Sequence, residues 1–103
     1  MAKRQNPKPF SPVKGEIYEN AGGGRFLCES DGNEHCARFM NVTSGWDFLA
    51  KGIVRYDDGT IEWDHSTDGT FVPLDRERQE RIFRATIRHK QNSIMNALLC
   101  CMI

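Results

Sequence analysis

The chain has 103 residues, 39% of them hydrophobic, and its fourteen basic side chains balance fourteen acidic ones. This length predicts one domain with a core just large enough to fold alone. Because the sequence has neither an apolar run of about 18 residues nor a secretory signal, we expect a cytoplasmic protein that does not enter the membrane.

Charge is unevenly distributed along the chain. Residues 1–10 carry three basic groups and no acid, residues 11–72 carry five basic groups against eleven acids, and residues 73–103 carry six against three. A zero total gives no long-range attraction for nucleic acid, whereas an acidic centre suits a partner with a basic face. We therefore expect a protein partner, with nucleic acid as the alternative.

The chain divides into an arm, a β-rich domain and a helix. Residues 1–12 hold three of the four prolines and are predicted to form a flexible N-terminal arm. Residues 13–72 alternate β-rich runs with closely spaced turn signals, and residues 75–99 have the apolar spacing of a helix. We predict a mainly β fold, an SH3-like or OB-like antiparallel barrel, with the C-terminal α-helix packed on the barrel or on a second copy.

Six strands are predicted in chain order. Glycines mark most of the turns between them, because glycine adopts positive φ without strain. At Asp31-Gly32 a two-residue turn would place Glu29 opposite Glu34, so we expect a longer loop there. The predicted strands are Val13–Asn20, Arg25–Ser30, His35–Val42, Trp46–Asp57, Thr60–Ser66 and Thr70–Val72.

The dipeptide Asp58-Gly59 is a strong signal for a two-residue hairpin turn. In that register Tyr56 faces Ile61, and Arg55 faces Glu62 as an opposite-charge pair. A three-residue loop would instead place Arg55 opposite Ile61, so we predict the two-residue register. The predicted core face of this hairpin carries Trp46, Phe48, Ala50, Gly52, Val54, Tyr56, Ile61 and Trp63. The predicted solvent face carries Asp47, Leu49, Lys51, Ile53, Arg55, Asp57, Glu62 and Asp64.

The cysteines and histidines are the candidate metal ligands and catalytic residues of this sequence. Cys28, His35 and Cys36 have a spacing that matches no common zinc pattern, so no metal or cofactor is predicted. The neighbours Asp64 and His65 would point to opposite faces of a strand, as would His35 and Cys36, so neither pair forms a catalytic dyad. We expect reduced thiols and no enzymatic activity.

The C-terminal segment has the features of a capped amphipathic helix. Asp75 is placed to cap its first turn, where the helix dipole also favours acidic side chains. An apolar stripe contains Ile82 or Phe83, followed by Ile87, Ile94, Leu98 and Met102. Basic side chains flank this stripe. The candidate contacts for assembly or for nucleic acid are Arg84, Ile87, Arg88 and Ile94.

Two stretches carry a specific pattern: G-E-I-Y-E-N-A-G-G-G-R-F-L-C over residues 15–28 and S-G-W-D-F-L-A-K-G-I-V-R-Y-D-D-G-T-I-E-W-D-H-S over residues 44–66. The pattern resembles small uncharacterised proteins of gut-associated Gram-positive bacteria and of their phages and integrative elements. The C-terminal helix lies outside the region that carries this resemblance. The resemblance implies a bacterial or phage accessory protein and carries no established activity with it.

These features together predict a non-enzymatic protein-interaction module of bacterial or phage origin, which would modulate a host enzyme or a defence system. The alternative is a nucleic-acid-binding protein that uses the arginine-rich helix. A homo-oligomer formed through that helix is a further expectation. Because tyrosine and tryptophan near a barrel rim often serve a ligand, the candidate partner-binding residues are Tyr18, Tyr56, Trp63 and His65.

Overall fold

The computed structural model describes residues 5–101, with side chains through residue 91. Two antiparallel sheets and a C-terminal helix make up this part of the chain, so the mainly β class with a terminal helix is confirmed. The strands are β1 (Lys8–Pro9), β2 (Ile17–Glu19), β3 (Arg25–Cys28), β4 (Cys36–Asn41), β5 (Trp46–Lys51), β6 (Val54–Arg55), β7 (Ile61–Glu62) and β8 (His65–Phe71), and the helix α1 is Arg76–Cys101.

The larger sheet has the strand order β2-β3-β4-β5-β8, and the smaller sheet has the order β1-β6-β7. One face of the larger sheet packs on the smaller sheet through an aromatic core. The opposite face packs on α1 through a second core, to which the helix contributes Ala85 and Ile82. Over the described residues the pairing leaves β2 and β8 as edges, so the strands form two sheets rather than one closed ring.

The aromatic core between the sheets is built from side chains that alternate along the strands. Phe39 is completely buried at its centre, and Phe26 and Phe48 approach it with ring centroids 6.2 and 6.1 Å away. Trp63 stacks on Phe39 at 5.7 Å and contacts Phe26 edge-on at 5.1 Å. These contacts join the two sheets by burying apolar area, which is the main source of stability in a domain of this size.

The predicted register of the β6–β7 hairpin is wrong. Arg55 pairs with Ile61, and the Tyr56 N–H donates to the Thr60 carbonyl at 2.9 Å, so the loop has three residues, 57–59. Its Gly59 has a φ of 87°, and the Gly59 N–H donates to the Tyr56 carbonyl at 3.0 Å. A type I turn followed by a left-handed glycine is the common three-residue hairpin loop, and the Asp58 carboxylate reinforces it by accepting the Thr60 N–H at 2.8 Å.

The predicted long strand Trp46–Asp57 is also wrong, because the chain bends at Gly52. That residue has a φ of 70°, and the two strands on either side of it belong to different sheets. The bend reverses the alternation of side chains, so Ile53 is buried in the aromatic core instead of facing solvent. Phe48, Ala50 and Ile61 are buried as predicted.

Two predicted strands near the end of the β-domain are reorganised. The segment predicted as Thr60–Ser66 divides between β7 and β8, and the Asp68-Gly69 turn lies inside β8 instead of ending a strand. Asp68 has a φ of 56°, and the pairing of β5 with β8 shifts register beside it. This irregularity is a β-bulge, which absorbs an extra residue without breaking the strand.

The predicted arm contains a strand in its second half. Lys8 and Pro9 pair with β6, and the Phe10 N–H donates to the Ile53 carbonyl at 3.0 Å. Phe10 packs against the aromatic core, with its ring centroid 5.4 Å from that of Tyr18. This segment therefore completes the smaller sheet. Residues 1–4 of the predicted arm lie outside the described part of the chain.

Two local predictions are confirmed. The loop around Asp31-Gly32 is long, because β3 ends at Cys28 and β4 begins at Cys36. Asp75 caps α1, since its carboxylate accepts the Arg78 backbone N–H at 2.9 Å.

Candidate interaction sites

The predicted partner-binding residues Tyr18 and Trp63 belong to the core. Tyr18 is buried, burial raises its pKa, and its hydroxyl accepts the Val13 backbone N–H at 2.9 Å. Trp63 is half-buried against three phenylalanine rings. Both rings therefore pack in the core, and the Tyr18 hydroxyl has a backbone partner.

The other two predicted residues belong to different parts of the β-structure, because Tyr56 follows β6 of the smaller sheet and His65 begins β8 of the larger sheet. Tyr56 is half-buried and lines a shallow cavity of about 390 Å³ together with Phe10 and Arg55. The Arg55 guanidinium lies over the Phe10 ring, 5.0 Å from its centroid. His65 is exposed at the start of β8, with its Nδ1 3.7 Å from an Asp64 carboxylate oxygen. The assignment of these four residues to partner binding stays a prediction.

An exposed pair of aromatic side chains was missed by the sequence reasoning. Trp46 of β5 lies opposite Phe71 of β8, and their ring centroids are 4.8 Å apart in an edge-to-face contact. Trp46 is 38% exposed and Phe71 is 68% exposed. Alternation along β5 assigned Trp46 to the core, but it lies outside the aromatic cluster that the smaller sheet covers.

The strand that carries Phe71 is an edge of the larger sheet. β8 is seven residues long, pairs with β5 on one side, and is exposed along most of its length. It contains no lysine, arginine or proline, which are residues that commonly protect an edge from pairing with another chain. Its bulge at Asp68 leaves a short regular segment that ends in Phe71. We call Trp46, Phe71 and the adjoining part of β8 the aromatic edge.

A second surface lies where α1 meets the larger sheet. A cleft of about 180 Å³ opens between the helix and the segment around β3. Its floor is apolar, and most of its rim is basic. The residues that line it, which we call the basic cleft, are Lys14, Gly15, Leu27, Cys28, Glu29, Arg81, Arg84, Ala85 and Arg88.

The structure brings two of the predicted helix residues together at this cleft and directs a third elsewhere. Arg84 and Arg88 both line it, whereas Ile87 is exposed and outside it. Ile94 lies in α1, but its side chain falls outside the described residues. Lys14 was not singled out from the sequence, because only the folded chain places it beside the helix.

Carboxyl groups form a network under the helix beside the basic cleft. Asp47, predicted to face solvent, is only 7% exposed and accepts a hydrogen bond from the Arg38 guanidinium at 3.0 Å. Glu29 lies next to it. Burial, together with a hydrogen bond to Asp47 and its charge, raises the pKa of Glu29 to about 7, although Arg78 and Arg81 oppose this shift. Glu29 is therefore partly protonated at neutral pH.

The cysteine nearest the cleft is a weak nucleophile. Burial raises the pKa of Cys28 to about 11, and its Sγ donates to the Ser30 carbonyl at 2.9 Å. In the part of the chain that the structure describes, no group of three or more His, Cys, Asp or Glu side chains is arranged to hold a metal ion.

Comparisons with family models, with curated proteins and with solved structures give no match for this chain. Among residues 5–101, no helix combines the length and the hydropathy needed to cross a membrane.

Proposed function

We propose that this protein is a non-enzymatic interaction module that binds a protein partner through the aromatic edge. The observation that carries the proposal is the contact between Trp46 and Phe71, two large aromatic side chains that remain substantially exposed on an edge strand. Tryptophan and other aromatics supply much of the binding energy at protein interfaces, because each of these side chains buries a large and rigid surface.

The position of the pair suits a protein partner more than a small molecule. The three cavities described along α1 and beside β1 and β6 are lined by residues other than Trp46 and Phe71. The exposed backbone of β8 beside them offers hydrogen-bonding groups to an extended segment of another chain. The bulge at Asp68 limits such pairing to a short stretch, so the aromatic side chains would provide the main anchor.

The chemistry of the surface defines the partner. It would carry apolar side chains to cover the two rings and at least one basic side chain to meet Asp68, which is exposed in the same strand. The resemblance to proteins of gut-associated bacteria and their phages provides the setting, in which a host enzyme or defence protein is the natural partner.

The description of the fold as a barrel stays a proposal. It is supported by the bend at Gly52, which folds β6 and β7 over the larger sheet.

Paired substitutions of two exposed phenylalanines test this proposal. Phe71→Ser removes a ring from the aromatic edge, and Phe83→Ser removes a ring of nearly equal exposure, 66% against 68%, from the helix. A partner captured from the native host and then purified should bind wild type and Phe83→Ser alike, and Phe71→Ser at least about tenfold more weakly by calorimetry. Equal affinities for all three proteins would contradict the proposal.

Nucleic-acid binding is the second candidate, and the observation that favours it is the convergence of Arg84, Arg88 and Lys14 at one cleft. Fluorescence anisotropy with a labelled oligonucleotide, repeated at several salt concentrations, tests it. Binding that weakens steeply with salt and is lost in Arg84→Gln with Arg88→Gln would support it. Binding that Phe71→Ser abolishes would instead place the oligonucleotide at the aromatic edge.

A further inference from the structure

The basic cleft has the dimensions of a site for a small ligand. Its volume of about 180 Å³ lies below the range of about 300–1,000 Å³ that is typical of pockets enclosing drug-sized molecules. Leu27 and Ala85 form part of its floor, and both are buried members of the helix–sheet core. The floor is therefore held by packing that does not depend on a ligand.

The cations around the cleft are available to bind an anion. Within the described side chains, Arg84 has no ion-pair partner. Arg88 is 3.7 Å from a Glu16 carboxylate oxygen, and Arg81 is 3.4 Å from one of Glu77. The Arg81–Glu77 pair is exposed and the Arg88–Glu16 pair is partly exposed, and solvent-screened pairs of this kind contribute little to stability. A ligand could replace them at small cost.

The spacing of the arginines along α1 also favours an anionic ligand. Arg81, Arg84 and Arg88 are three and four residues apart, so they lie on one side of the helix, where their like charges are unfavourable. Lys14 brings a fourth positive charge from the opposite wall. An oxyanion between them would relieve this repulsion and accept charge-assisted hydrogen bonds from the guanidinium groups.

We propose that the basic cleft binds a small ligand that carries an oxyanion group, a phosphate or a carboxylate, on a compact apolar body. The oxyanion lies between Arg84, Arg88 and Lys14, and the apolar body rests on Leu27 and Ala85. This site is separate from the aromatic edge, so it does not depend on the function proposed above.

Glu29 is the acidic residue that lines the cleft, and its surroundings reduce the negative charge that it presents to an anionic ligand. Its carboxyl group hydrogen-bonds with Asp47, which is itself paired with Arg38, and Arg78 and Arg81 face it from the helix. With a pKa of about 7, Glu29 carries less than a full negative charge at neutral pH. The net charge presented to the ligand is therefore positive.

Phenyl phosphate is a suitable probe, because it joins an oxyanion to a small apolar ring. We expect saturable changes in the amide resonances of Gly15 and Leu27 when the full-length protein is titrated at neutral pH and low salt. Arg84→Gln with Arg88→Gln should weaken binding at least about tenfold. Arg76→Gln, an exposed arginine of the same helix outside the cleft, is the matched control and should bind as wild type does.

Two further probes separate the contributions of charge and apolar surface. Benzyl alcohol, which lacks the anion, should not bind at the same concentrations, and inorganic phosphate, which lacks the ring, should bind more weakly than phenyl phosphate. Unchanged affinity in the double variant, equal binding of benzyl alcohol, or no resonance change up to millimolar phenyl phosphate would overturn the proposal. So would an oligonucleotide that binds these arginines when phenyl phosphate does not.

Discussion

Asp47 and Glu29 show how carboxyl groups are accommodated beneath the helix. Asp47 is buried, and Arg38 on the neighbouring strand compensates its charge through a 3.0 Å hydrogen bond. Among the described side chains, none forms an ion pair with Glu29, and burial raises its pKa to about 7 although Arg78 and Arg81 oppose the shift. The two carboxyl groups differ because a buried charge is tolerated when it is paired and is otherwise neutralised by a proton.

Glu29 should make the stability of the protein depend on pH. The folded chain retains this proton up to about pH 7, whereas an ordinary glutamate releases it near 4.5. Because the folded state binds more protons between these values, the free energy of unfolding contributed by this group falls as pH rises through that interval.

Replacing Glu29 by glutamine should remove this dependence and keep a donor for Asp47. At about pH 8 we expect Glu29→Gln to be more stable than wild type by about 1 kcal/mol, a value reduced to allow for the partial solvent exposure of the group. A gain of this size raises Tm by about 4–8 °C. At about pH 4 the two proteins should melt together. Thermal unfolding followed by circular dichroism measures both, with the exposed Glu34→Gln as control. A Tm gain of the same size at both pH values would refute the assignment.

Among the secondary-structure elements, the bend between β5 and β6 has the largest effect on the architecture. Lys51 pairs with His65 in the larger sheet, and Val54 pairs with Glu62 in the smaller one, so a single two-stranded ribbon passes from one sheet to the other. Gly52 permits this bend, because its φ is positive and its Cα lies close to Asp64.

A side chain at position 52 should be costly for two reasons. Alanine at positive φ is strained by about 1–2 kcal/mol, and its Cβ would lie 2.7 Å from the Asp64 Cβ. We expect Gly52→Ala to lower the free energy of unfolding by about 2–4 kcal/mol in urea denaturation.

Gly23 provides the matched control for this substitution. It also has a positive φ, of 83°, but a Cβ there would meet no atom within 4 Å. Gly23→Ala should therefore cost only the backbone strain, about 1 kcal/mol. Equal losses for the two variants would show that the approach to Asp64 has no energetic consequence.

In the molecule as a whole, α1 packs on the larger sheet through Ile82, one of the two alternatives that opened the predicted stripe, and through Ala85, which the stripe did not include. Ile82 and Ala85 contact the helix–sheet core, whereas Phe83 and Ile87 are exposed. The expectation that α1 mediates self-association stays a prediction, and the exposed Phe83 and Ile87 are consistent with it. The predicted residues Ile94, Leu98 and Met102 fall outside the described side chains.

Truncating neighbouring apolar residues of α1 distinguishes its two faces. Ile82→Ala should lower the free energy of unfolding by about 1–3 kcal/mol, because it removes methyl and methylene groups from the core. Phe83→Ala should change it by less than about 0.5 kcal/mol. Thermal unfolding at two protein concentrations measures both values. A large loss for Phe83→Ala that grows with protein concentration would show that its ring is covered in an oligomer.

Several features of this protein follow from local sequence. The mainly β class, the terminal helix and its Asp75 cap, and the long loop at Asp31-Gly32 were all predicted, because each depends on neighbouring residues only. Burial of Phe48, Ala50 and Ile61 was also predicted, since alternation along a strand assigns side chains to a face as long as the strand continues.

The remaining features depend on contacts between distant segments. Alternation predicted that Ile53 and Asp47 would face solvent. It failed for Ile53 because the chain bends at Gly52, and for Asp47 because α1 covers the second face of the sheet. The predicted hairpin register was wrong because it relied on an Arg55–Glu62 pair, whereas the folded chain places Arg55 over Phe10, the residue that follows β1. The two candidate surfaces arise in the same way: Trp46 meets Phe71, and Lys14 meets Arg84 and Arg88, only after strand pairing and helix packing bring together residues that are far apart in the chain.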